Sequence, residues 1–238
     1  MTAVVVRGGT RTKRKSPIIE LAKGTRLVRI YAQPPGAPPR DIAFNPASAG
    51  RVSPVLDRQG NPHPAMYFAV DSSQGAVMEL MYHTVIKRYP AGGVVPESIF
   101  ENLQVVELVL QTSVKMVSIQ VLQELGDIPE DFSSGTADYA QTRMIAQKQY
   151  ALRKSAAGFT WHSARGSSVV GAWYETRMPR GTFKLGSAPA LLMRSSLSDF
   201  VDSFLAGYGI AVLAPSFSSL AKRCAGLSVN LLSESRLS

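Results

Sequence analysis

Glu79 is the residue in this chain whose setting most needs a chemical reason. It is the only acid in SQGAVMELMYH (73–83), a stretch whose other residues are mostly apolar. Ionised carboxylates are rarely buried without a partner. A carboxylate so placed can stabilise positive charge on a reacting sugar carbon, hold a hydroxyl, or orient a nucleophile. Possible companions lie on both sides of it: Arg29, Tyr31, Arg51 and Tyr67 upstream, Ser163 far downstream. Arginine binds phosphate through paired, charge-assisted hydrogen bonds. Tyrosine stacks on flat rings, and a serine hydroxyl can hold a ribose or a phosphate. Singly, each has an ordinary reading: a solvent-facing arginine, a core tyrosine, a solvated helical glutamate, an incidental serine. His83 follows Glu79 by four residues, so it either tunes the acid or faces solvent. The three histidines, His63, His83 and His162, make no ligand spacing, and no metal is expected.

The elements that must position these residues follow from local pattern. TRLVRIYA (25–32) reads as a strand with Val28 and Ile30 on the core face, and Leu27, Arg29 and Tyr31 on the other. QPPGAPPRDIAFNPASAG (33–50) is a long Pro/Gly loop, and loops of that length tend to carry function. AMYFAV (65–70) reads as a buried strand bearing Tyr67. A helix capped by Asp71, Ser72 or Ser73 should then run to about Lys87, with Val77, Leu80, Met81 and Thr84 inward. LQVVELVLQ (103–111) and VKMVSIQV (114–121) read as a hairpin. Thr136 could open a helix to about Ser155 with a stripe of Ala140, Met144 and Ala151, flanked by Ile145 and Leu152. FTWHSARG (159–166) and VVGAWYETR (169–177) read as a second hairpin with Phe159, Trp161, Ser163 and Arg165 on one face. GTFKL (181–185) extends the sheet, LSDFVDSFLAG (197–207) is helical, and GIAVLA (209–214) is a late strand. Near the start, VVV (4–6) reads as a small strand and IIELA (18–22) as a helical turn.

With no internal repeat, the expectation is one α+β domain over 25–214, between a basic extension (1–24) and a Ser-rich tail (215–238). The net charge of +9 points to an acidic or anionic partner. Part of it is local, since residues 1–22 hold Arg7, Arg11, Lys13, Arg14 and Lys15 against Glu20 alone. No aromatics are interleaved there, which argues against a nucleic-acid arm. Cys224 is the only cysteine, so the chain has no internal disulfide and fits a reducing cytoplasm. No apolar run is long enough to span a bilayer, and a soluble cytoplasmic protein is expected.

Five pieces, in order, carry a family resemblance: LVRIY (27–31), AGRVSPV (49–55), PAMYFAVDSSQGAVME (64–79), GFTWHSAR (158–165) and GAWYETR (171–177). The chain resembles the RES-domain family, the toxin half of bacterial RES–Xre toxin–antitoxin pairs, named for its Arg, Glu and Ser. Val52 departs from the pattern, standing where many members have an aromatic.

The resemblance implies a split, mixed β-sheet flanked by helices, like that of ADP-ribosyltransferases, with NAD as substrate and no metal. It implies cleavage of the nicotinamide–ribose bond by hydrolysis or phosphorolysis, or transfer of ADP-ribose to a protein. Glu79, Arg29 and Ser163 would be catalytic; Arg29, Tyr31, Arg51, Tyr67 and Ser163 would bind NAD. An Xre-like antitoxin would neutralise the toxin in an oligomeric complex, reaching DNA only through the antitoxin. A non-catalytic basic binding module on the same scaffold is the contrasting reading, and it would leave Glu79 dispensable.

Overall fold

Runs of β-branched and aromatic residues become strands here because both faces of the sheet find cover. The computed structural model describes residues 15–33, 44–45, 50–134, 138–164 and 168–213. Its strands are β1 (Ile18–Leu21), β2 (Arg26–Ala32), β3 (Ala65–Val70), β4 (Val94–Pro96), β5 (Leu103–Leu110), β6 (Val114–Ser118), β7 (Gly158–His162), β8 (Val169–Tyr174), β9 (Phe183–Leu185), β10 (Ala190–Leu191) and β11 (Ala211–Leu213). The helices are α1 (Ser73–Met81), α2 (Ile119–Glu124), α3 (Tyr139–Leu152) and α4 (Ser198–Ala206). The main sheet runs β1-β6-β7-β8-β3-β2-β5-β10, with β9 also on β5. Its pairs are antiparallel except β6–β7, while β4 and β11 form a separate parallel pair. The expected α+β domain with a large mixed sheet is therefore what forms.

The sheet divides in the middle. β2 and β3 pair only at Leu27–Val70 and Val28–Ala69. Beyond that point β3 stays on β8 as far as Ala65, and β2 stays on β5 as far as Ala32. The gap between them is where a ligand can enter without breaking a ladder.

Several local readings are corrected. Ile18–Leu21 is a strand pairing with β6, not a helical turn, and VVV (4–6) lies outside the described residues. The stretches 103–111 and 114–121 are not a hairpin: β5 pairs with β2, and β6 pairs with β1 and β7. A short link between two apolar runs looks like a hairpin turn in sequence, but here β1 takes the edge that β5 would have used. Lys23 N–H donates to Ser113 Oγ (3.3 Å) and Gly24 N–H to the Leu110 carbonyl (2.9 Å), tying this corner. On one face of the sheet Leu21, Leu27, Leu110, Val114, Met116 and Trp173 pack together. β6 also stops at Ser118, whose hydroxyl accepts from Val121 N–H and starts α2.

The opposite face of the sheet, with Val28, Ala69, Phe159 and Tyr174, packs against α2 and α3. Beside it, Val77 and Met81 of α1 pack with Val201 and Leu205 of α4. Asp138 caps α3, accepting from Ala140 N–H, and Thr136 lies outside the described residues. The buried side of α3 is Thr142, Ala146, Gln149 and Tyr150; Met144 and Leu152 of the expected stripe are 69% and 62% exposed. Two of the polar groups on the inner face have partners, the Tyr150 hydroxyl with Thr176 Oγ1 (3.0 Å) and Thr142, while Gln149 Oε1 is buried with none among the described residues. Thr142 Oγ1 donates to the Arg51 carbonyl (2.8 Å). Arg177 closes the other end, donating to the carbonyls of Tyr150 (2.7 Å), Arg153 (3.0 Å) and Ala156 (3.3 Å). Among the described residues, no helix is long and apolar enough to cross a membrane.

Candidate active site

α1 aims Glu79. Of the three candidate caps, Ser72 is the one used: its Oγ accepts from Gly75 N–H at 2.9 Å. Val77 and Met81 anchor the helix in the core, which turns Ala76, Glu79, Leu80 and His83 toward a cavity of about 520 Å³. The expected single helix is interrupted at Tyr82–Ile86, which winds as a wider π-helix. Such wide turns are frequent at functional sites.

Ser163, just past β7, is buried and donates to Glu79 Oε2 at 2.9 Å. His83 Nε2 lies 3.5 Å from Glu79 Oε1. Burial pushes the Glu79 pKa up, but the His83 imidazole, the Ser163 hydroxyl and the Arg51 charge outweigh it. The net result lies below the ordinary glutamate value. Glu79 is therefore a carboxylate at neutral pH.

The unfolded chain binds more protons between the two pKa values, so ionised Glu79 adds stability above its unfolded pKa. That stability is lost as pH falls through the folded pKa. Ser163→Ala removes a hydrogen bond to the charged form. It is expected to raise the Glu79 pKa and narrow this window from its acid side. A carbon-detected NMR titration of the Glu79 side chain measures the shift, and an unchanged midpoint would remove Ser163 from the site.

Tyr67 and Arg51 join this group. The Tyr67 hydroxyl sits 2.8 Å from Ser53 Oγ, and its ring meets Trp161 edge-on with centroids 6.1 Å apart. A Cβ on Gly50 would lie 2.1 Å from that hydroxyl, so the glycine before Arg51 is required by close approach. Arg51 is 6% exposed. Its guanidinium donates to the Phe132 carbonyl and to the Ser134 carbonyl (2.8 Å). The fork expected to clasp phosphate is thus already engaged by backbone, and Arg51 holds the 130–134 turn against the cavity wall.

Arg29 and Tyr31 are not brought into this group. The cavity is lined by Val28 and Ile30 of β2, and Arg29 and Tyr31 project from the other face, in register with Val106 and Gln104. Tyr31 donates to Gln104 Oε1 at 3.2 Å. The Arg29 guanidinium lies 5.4 Å from the Tyr31 ring. Burial pulls its pKa down to about 10, against the opposing effect of Tyr31, so it stays charged at neutral pH. One of its terminal nitrogens is buried without a hydrogen-bond partner among the described residues. Arg165 lies outside the described residues.

Trp161, His83 and Tyr139 also line the cavity. Tyr139, at the start of α3, carried no sequence signal, because it meets the site only through tertiary packing. Among the described residues, no group of three or more His, Cys, Asp or Glu could hold a metal ion.

Residues 26–182 match a family described as the RES domain. No curated protein matches the chain. Among solved structures, the fold is similar to one from M. tuberculosis, described as the MbcT-MbcA toxin-antitoxin complex. The TM-score is 0.52 at 20% identity, over 73% of this chain and 85% of that chain.

Proposed function

The chain belongs to the RES domain family, and on that premise we propose that it is the toxin of a toxin–antitoxin pair, an enzyme that breaks the nicotinamide–ribose bond of NAD. The observation that carries this reading is the Glu79 carboxylate. It is held ionised between Ser163 and His83 on the wall of a cavity beside the divided sheet.

As the C1′–N bond of the nicotinamide ribose breaks, its electron pair goes to the nicotinamide ring nitrogen. C1′ takes on oxocarbenium character. Glu79 stabilises that charge and accepts a hydrogen bond from a ribose hydroxyl. Ser163 keeps the carboxylate in place, and Tyr67 with Trp161 gives an aromatic wall for the departing ring. Water or phosphate then bonds to C1′. Water releases a proton and yields ADP-ribose; phosphate yields the ADP-ribose phosphate ester. Arg51 acts through its charge and by holding the 130–134 turn; Arg29 and Tyr31 take no part in these steps.

Transfer of ADP-ribose to a protein would use the same acid. Transferases directed at arginine often carry a second acid two residues earlier. Val77 stands there, fully buried in the core. The partner this reading calls for is an Xre-like antitoxin, and the charge of +9 favours an acidic contact surface on it.

Purified protein incubated with NAD, with and without phosphate, should release nicotinamide together with free ADP-ribose or its phosphate ester. ADP-ribose appearing on a protein band would favour transfer. Folded protein that releases no nicotinamide under either condition would sink the reading.

A further inference from the structure

Tyr139 has three cations around its ring. The guanidinium carbons of Arg51 and Arg143 lie 5.6 and 5.8 Å from the ring centroid, and Lys87 Nζ lies 5.1 Å from it. The ring lines the cavity, 6.3 Å from His83, which in turn stands beside Glu79. Cation–π attraction is worth about 0.5–1 kcal/mol at an exposed site, whereas like charges gathered this closely repel. Among the described residues, neither Lys87 nor Arg143 is ion-paired. Asp138, the adjacent acid, accepts from Ala140 N–H as the cap of α3. Two cations with no paired acid, beside a ring that lines the cavity, suit an anionic ligand.

The three cations differ in what remains free. Arg51 is committed to the carbonyls of Phe132 and Ser134. Arg143 uses Nε on the Gly50 carbonyl (2.9 Å), and among the described residues its terminal nitrogens make no hydrogen bond. Lys87 is exposed, its ammonium resting between the Tyr82 and Tyr139 rings.

We propose that Lys87 and Arg143, both beside the Tyr139 ring, bind the diphosphate of the dinucleotide. This rests on the NAD-cleaving reading above, and it assigns the phosphates to residues other than Arg29 and Arg51. Lys87 supplies a mobile point charge and Arg143 a planar pair of donors. Together they would set the dinucleotide so that the nicotinamide ribose meets Glu79.

The test is calorimetric, with ADP as the probe, on wild type, Lys87→Ala and Arg143→Ala. ADP should bind wild type, more weakly as salt is raised, and about tenfold more weakly in each variant, the loss of one charge-assisted contact. The thermal midpoint of Lys87→Ala should match wild type; Arg143→Ala also loses the hydrogen bond to the Gly50 carbonyl and should melt a few degrees earlier, but still fully folded at the titration temperature. Equal ADP affinity in all three proteins, or no ADP binding to wild type, overturns the assignment. Turnover is not needed, so the two readings fail separately. Loss of ADP binding in the variants of a protein that releases no nicotinamide keeps this subsite and removes the NAD-cleaving reading. Nicotinamide release with unaltered ADP binding does the reverse.

Discussion

Glu79→Gln is expected to cut nicotinamide release from NAD by about three orders of magnitude, near the upper range for losing one preorganised electrostatic group. That equals about 4 kcal/mol of transition-state stabilisation. The substitution is nearly isosteric, and the amide oxygen can still accept from Ser163, so the cavity wall keeps its shape. What disappears is the negative charge opposite a forming oxocarbenium ion. Because the Glu79 side chain is 24% exposed and paired with a histidine rather than a buried lysine or arginine, the fold should lose little. Initial rates at saturating NAD, with melting curves on the same samples, separate the two effects. Equal rates in both proteins would show that the carboxylate is not the catalytic group.

Glu79, Ser163, Tyr67 and Arg51 could be read together from sequence because each sits in a local motif whose order along the chain is itself informative. Arg29 and Tyr31, which do not line the cavity, show what strand periodicity leaves out. Alternation separates Leu27, Arg29 and Tyr31 from Val28 and Ile30, and the structure agrees. Assigning one set to core and the other to a cleft assumes that only one face is covered. Here Leu27 and Val28 are both fully buried, and the cavity lies on the side that looked like core. The false hairpin has a similar origin. β5 and β6 are near in sequence and have suitable composition, but β1 supplies the antiparallel edge for β6 from nearly a hundred residues away. Tyr139, Lys87 and Arg143 were invisible for the same reason. Arg143 reaches Gly50 across the fold, and neither end carries a pattern that names the other.

Arg51→Met is expected to lower the thermal midpoint by about 10 °C, a larger effect on stability than on ADP binding. Arg51 is buried, and its guanidinium satisfies two carbonyls at the end of the 130–134 turn. Methionine fills much of the same space but cannot donate to either carbonyl. Hydrogen bonds to a charged group are worth about 1.5–3 kcal/mol each. Against that stands relief from burying a cation, which in some proteins makes an apolar replacement harmless. That relief is decisive only when both partners are replaced, and here the carbonyls stay. A net loss of roughly 3 kcal/mol follows, and for a domain of this size each kcal/mol moves the midpoint by about 2–4 °C. Arg51→Lys sharpens the point. It keeps the charge that helps hold Glu79 ionised but has no planar fork to reach two carbonyls. If Arg51 is an anchor, the lysine variant should melt nearly as early as the methionine variant. If it is a phosphate ligand, lysine should restore ADP binding, and both variants should melt like wild type. Melting curves and ADP titrations on the same three samples decide between a residue that builds the site and one that touches the substrate.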